Sequence, residues 1–129
     1  MTDSLLLDTC ALLWLVSGSR SLSNSTRTAI SNASVVCVSP VTAWEIAVKT
    51  AKGKIELPCP AREWFDAVVR RYDIEVLKLS SDDMLRAAEL PWLHKDPSDR
   101  FIIATALNND FTVVTSDGNF PKYGVRTIC

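Results

Sequence analysis

Histidine occurs once in this chain and glycine four times, and the four cysteines (Cys10, Cys37, Cys59, Cys129) include no C-x-x-C pair. Scattered thiols with a single imidazole to complement them make a poor zinc site, and a chain of this length has no need of a disulfide framework. Reduced cysteines in a cytoplasmic protein are the expectation. Gly18, Gly53, Gly118 and Gly124 form neither G-x-G-x-x-G nor a Walker loop, which removes the usual glycine-rich phosphate cradles. A G-x-S-x-G elbow is also missing, so His94 has no serine nucleophile of that type to serve. No apolar run approaches the roughly 20 residues that span a bilayer. Leu5–Leu7 and Ala11–Val16 are separated by Asp8 and preceded by Asp3 rather than by lysine or arginine, so they read as core and not as a leader. The net charge of −1 lacks the basic excess of a nucleic-acid binder. That objection weakens if several acids are committed to a cation.

What is present points to one domain over residues 1–129, with 47% hydrophobic residues to build its core. Short apolar runs suited to buried strands fall at 5–8, 35–39 and 111–117, with a more alternating edge strand at 74–79 and a closing strand at 125–128. Helical spacing occupies 11–16, 23–33, 41–52 and 61–72, a segment capped by Ser80 or Ser81 and stopped by Pro91, and a last stretch from Pro97 to about Asn108. Trp44, Ala47, Val48 and Ala51 share one face of the helix at 41–52, and Trp14, Trp44, Trp64 and Trp92 read most simply as core. Strands alternating with helices predict an α/β fold, a mostly parallel central sheet between two helical layers.

In such sheets ligands collect beyond the carboxyl ends of the strands. Asp8 and Asp117 each end a predicted strand, Glu45 follows the strand that ends at Ser39, and Asp99 lies in the first turn of the helix begun by Pro97. Asp96 is a natural N-cap for that helix. Each acid has a bland reading alone, as a turn residue, a solvated helix residue or a cap. Together they put four carboxylates from separate segments on one rim. Clustered carboxylates repel one another, and a divalent cation relieves the repulsion; oxygen ligands favour Mg²⁺ or Mn²⁺ over zinc. Asp82, Asp83 and Asp110 have no such placement and read as solvated surface. The lone His94 reads more readily as a bystander than as a substrate contact.

The blocks Leu6-Leu7-Asp8-Thr9, Ser39-Pro40-Val41-Thr42-Ala43-Trp44-Glu45-Ile46, His94-Lys95-Asp96-Pro97-Ser98-Asp99-Arg100 and Thr115-Ser116-Asp117 occur in this order. Together they resemble a PIN-domain ribonuclease of the VapC toxin type, over essentially the whole chain. The resemblance implies that Asp8, Glu45, Asp99 and Asp117 bind Mg²⁺ or Mn²⁺ and carry metal-assisted hydrolysis of RNA. Asp96 becomes an accessory acid or cap, and Thr9, Ser39 and Thr115 hydroxyls that support the acids or touch substrate. Lys49, Lys52, Lys54, Lys95 and Arg100 are candidates for contacts to the RNA backbone. A cognate antitoxin protein and homodimerisation are implied as well. Cys10 and Ser98 depart from the family pattern. Two other functions stay open: a catalytically silent PIN-like module that binds RNA or protein, and an aspartate-dependent phosphatase. The phosphatase usually needs a second aspartate two residues after the first, where this chain has Cys10.

Overall fold

The computed structural model describes residues 4–129. Strand β1 (Ser4–Leu7) lies at the centre of a five-stranded sheet, flanked by β2 (Val35–Val38) and β4 (Thr112–Val114), with β3 (Glu75–Val76) and β5 (Thr127–Ile128) at the edges. Every pairing is parallel. The strands are shorter than their apolar runs suggest. Ser39, Thr115 and their neighbours leave the ladders to cap helices or form turns.

Side chains alternate across the sheet, and the core divides accordingly. Leu5, Leu7, Val36, Val38 and Val114 pack on one face against helices α1 (Thr9–Ser17), α2 (Asn24–Asn32) and α4 (Ala61–Arg71). Leu6, Cys37 and Val113 pack on the other against α5 (Ser81–Glu89) and α6 (Pro97–Asn109). Helix α3 (Pro40–Ala51) reaches both clusters, through Ile46 and Val41. The result is a three-layer α/β/α arrangement. Register sets Leu7 level with both Val38 and Val114, so the next residues, Asp8, Ser39 and Thr115, stand side by side at the sheet's carboxyl edge.

Several sequence expectations change here. Helix α3 carries two apolar stripes, and it buries Val41, Thr42 and Ile46 rather than the stripe through Trp44. Trp44 is 61% exposed and Trp92 68%, so neither is core. Asp83 is buried, not solvated: it completes a capping box with Ser80 and accepts a 2.7 Å hydrogen bond from Asn108 Nδ2.

Arg100 changes most. It is buried, and its guanidinium donates to four main-chain carbonyls, those of Ala87, Leu90, Pro91 and His94, at 2.6–3.1 Å. The Trp92 ring covers it, with Cζ 3.6 Å from the ring centroid. A group committed in this way cannot reach an RNA backbone, so Arg100 is a structural residue. It closes the carboxyl end of α5, where cations are favoured, and holds the loop between α5 and α6. Removing a charged donor strands buried acceptors, each costing about 1–3 kcal/mol. Arg100→Ala is therefore expected to lower the unfolding free energy by about 3 kcal/mol or more, measured by urea denaturation. A loss below about 1 kcal/mol would mean that the carbonyls find other donors.

Candidate active site at the carboxyl edge of the sheet

Three helices begin at this edge, and each is capped by a side chain from it. Asp8 Oδ1 accepts from Ala11 N at 2.8 Å to cap α1, and Ser39 Oγ accepts from Val41 N at 3.2 Å to cap α3. Asp96 Oδ1 accepts from Ser98 N at 3.0 Å to cap α6, with Pro97 in the first turn. The amino ends of these helices bring positive dipole ends toward the rim, which eases the approach of several carboxylates.

Asp8 is buried, and that burial pushes its carboxyl above the ordinary range; Thr115 and the Ala11 amide pull the other way, and the charges of Asp117 and Glu45 add to the rise. Asp99 is pushed up to about 7, chiefly by burial and then by Asp96, with Asp8 and Glu45 contributing and His94 opposing. For Asp117 burial is outweighed by hydrogen bonds from the Asn119 amide and His94, and its carboxyl lies below the usual value. Glu45 accepts from the Thr9 hydroxyl and pairs with Lys49 at 3.0 Å, while Thr9 Oγ1 lies 3.2 Å from Thr42 Oγ1.

His94 is the participant that the sequence reading left aside. Its Nε2 lies 2.8 Å from Asp117 Oδ2 and 3.0 Å from Asp99 Oδ2. Its Nδ1 accepts from Asp96 N at 3.3 Å, which leaves the proton on Nε2, facing the two acids. The ligand-capable atoms of His94, Asp99 and Asp117 lie within 4.8 Å of one another. The histidine shares one loop with Asp96 and Asp99, and this proximity was the available signal. What sequence could not show was that the ring turns toward Asp117.

Asp8 thus feels the charges of Asp117 and Glu45, and Asp99 those of Asp8 and Glu45, while the closely spaced group of ligand-capable atoms among the described residues is His94, Asp99 and Asp117, with Asp8 and Glu45 outside it. Thr9, Ser39 and Thr115 are buried, and Thr115 Oγ1 accepts from Asp117 N at 3.1 Å. Lys49 stands at the rim through Glu45, and Lys95, Lys52 and Lys54 are exposed. The donor set suits a hard divalent cation: it is oxygen-rich and drawn from several segments, and its buried acids repel one another when unneutralised. The Nε2–H of His94 supplies a positive hydrogen between Asp99 Oδ2 and Asp117 Oδ2.

Because Asp99 holds its proton more tightly when folded, the native state binds more protons than the unfolded chain between pH 4 and 7. This group's contribution to stability therefore falls as pH rises through that window. In metal-free buffer Asp99→Asn should melt higher than the parent near pH 8, with the advantage gone near pH 4. A parent that melts higher at both pH values would contradict the assigned repulsion.

The sequence model of the PIN domain family matches residues 5–125. A comparison with curated proteins returned no match. Among solved structures the chain resembles VapBC2 from Rickettsia felis bound to a promoter DNA fragment, with a TM-score of 0.71 at 16% identity over 97% of each chain. It also resembles DNA-bound VapBC from Salmonella typhimurium, at 0.64 and 19% over 97% of this chain and 96% of that one. A third is VapC20 of Mycobacterium tuberculosis, a toxin that cleaves the sarcin–ricin loop, at 0.64 and 19% over 94% and 95%. At such identities the likeness is one of fold. The family match covers nearly the whole chain, and the protein belongs to the PIN domain family.

Proposed function

We propose that this protein is a metal-dependent endoribonuclease that hydrolyses RNA phosphodiester bonds and acts as the toxin of a VapC-type toxin–antitoxin pair. The observation that carries this reading is the meeting of Asp8, Glu45, Asp99 and Asp117, with His94, at one strand-end rim. Structural neighbours described as DNA-bound VapBC, as a toxin–antitoxin complex from Klebsiella pneumoniae and as a sarcin–ricin-loop-cleaving toxin support it.

Asp8, Asp99 and Asp117 are the residues that would hold Mg²⁺ or Mn²⁺, with Glu45 completing the set. When bound, such an ion supplies an activated water and neutralises charge on the displaced phosphodiester oxygens. The chain's own residues prepare the site. The Ala11 amide holds Asp8 through Oδ1, and Thr115 supports the same carboxyl. The Asn119 amide likewise takes Oδ1 of Asp117, while His94 faces its Oδ2. Thr9 orients Glu45 from behind, and Lys49 brings a positive charge to the edge of an acidic surface that RNA must approach. Lys95 is a second contact candidate, exposed on the loop beside His94.

The same reading includes a protein antitoxin and a second copy of the chain as partners. Exposed apolar side chains on α3, α5 and the following loop support it, namely Trp44, Met84, Leu85, Trp92 and Leu93. Surface of this kind favours protein contact. Light scattering at micromolar concentration is expected to give twice the monomer mass, and monomer mass would remove the dimer from the proposal.

Asp8→Asn and Asp99→Asn should each reduce RNA cleavage to background while circular dichroism remains that of the folded parent. EDTA should do the same, reversed by excess Mn²⁺. Undiminished cleavage by either folded variant would overturn the assignment, and sequencing the RNA ends produced on expression without the antitoxin would identify the substrate.

A further inference from the structure

The loop that carries His94 is held through the His94 main chain, and the contact most distant in sequence comes from Tyr123. The Tyr123 hydroxyl accepts from His94 N at 2.8 Å and donates to Pro91 O at 2.7 Å, and Arg100 Nη1 lies 3.5 Å from it. Both hydrogen-bonding capacities of the phenol are therefore spent on one loop, the loop that carries His94 into the first turn of α6. Tyr123 itself ends a 3₁₀ turn, Pro121–Tyr123, closed by Gly124 in the left-handed region at φ 82°.

This turn is continuous with the segment that presents Asp117. Asp117 Oδ1 accepts from Asn119 N at 2.9 Å, Phe120 N donates to Asp117 O at 3.2 Å, and Tyr123 N donates to Phe120 O at 3.1 Å. Phe120 is fully buried and meets the His94 ring edge-on, with 6.2 Å between centroids and 77° between planes. Residues 117–123 thus form one hydrogen-bonded block, with the acceptor for His94 Nε2–H at one end and the anchor of the His94 main chain at the other.

We propose that Tyr123 is a positioning residue: its hydroxyl sets the His94 imidazole between Asp99 and Asp117, and so holds the two carboxylates at the spacing seen here. The ring of Tyr123 packs with the α5–α6 side of the core, and phenylalanine would preserve that packing. The hydroxyl provides the tie from the 3₁₀ turn to the main chain of the His94 loop, beside the ring contacts of His94 with Asp117 and Phe120. Arg100 holds the same loop from the α5 side, bonding Ala87 O and Leu90 O as well as Pro91 O and His94 O, whereas Tyr123 ties the His94 main chain to the block that begins at Asp117. The consequence for cation binding rests on the metal site proposed above; the placement of the imidazole does not.

His94 is the single histidine, so its two ring nitrogens can be observed without assignment ambiguity in ¹⁵N-labelled protein. At one fixed pH in metal-free buffer, the parent should show a protonated Nε2, an unprotonated Nδ1 and a His94 amide protected from hydrogen exchange. Tyr123→Phe should keep its circular dichroism, lose the amide protection and show averaged ring-nitrogen signals. Tyr72→Phe, which alters the other tyrosine, should match the parent. Unchanged ring signals in folded Tyr123→Phe would overturn the proposal, and so would an unprotected His94 amide in the parent, a result independent of how the variant folds. Mn²⁺ titration by calorimetry should show about tenfold weaker binding for Tyr123→Phe, as for loss of other outer-shell partners. If the parent itself binds no Mn²⁺, the metal site fails while the ring-nitrogen and exchange results still judge Tyr123.

Discussion

Carboxylates gathered at one edge of a low-dielectric core repel one another, and much of this molecule's local structure deals with that repulsion. Asp8 uses one oxygen to cap α1, Asp117 accepts hydrogen bonds from a turn amide and from His94 Nε2–H, and Glu45 is balanced by Lys49 and Thr9. Asp99 has the least help and rises to about 7, in a first helical turn that already holds the capping acid Asp96. Helix amino ends, hydroxyls and an imidazole make the cluster tolerable without making it comfortable. A site held in this state gains from a divalent cation more than a relaxed one would.

The sheet makes the gathering possible. A parallel register that sets Leu7 level with Val38 and Val114 delivers Asp8, Ser39 and Thr115 as a row, from segments distant in sequence. One-residue slippage in either pairing would turn Leu5, Leu6 and Leu7 to the wrong faces. Burial of β1 on both sides therefore enforces the alignment of the polar residues that follow it.

Much of this was legible in the residues. Continuous apolar runs gave away the central strands, Asp96-Pro97 marked the start of α6, and the spacing of the four acid-bearing blocks carried the family resemblance. What failed were side-chain directions that depend on tertiary partners. Helix α3 offered two apolar stripes, and periodicity could not tell that Val41 and Ile46 would be buried while Trp44 faced outward. Arg100 looked like a surface cation because the four carbonyls that enclose it come from a loop and a helix end whose path local sequence does not determine. His94 had no visible partner until the turn after β4 brought Asp117 within 2.8 Å of it. Asp83 was misread for the same reason: its burial depends on Asn108, far along the chain.

The strand order β3-β2-β1-β4-β5 also has a meaning in time. The central strand precedes one of its two neighbours, β4, by more than a hundred residues. During synthesis β1 must wait for those residues before both flanks are paired, and such long-range pairing is slow to form. Asp8 therefore leaves the ribosome long before Asp99 and Asp117 exist. A nascent chain that stops short of β4 has no assembled rim, so whatever chemistry this edge performs is withheld until Asp117 has been made.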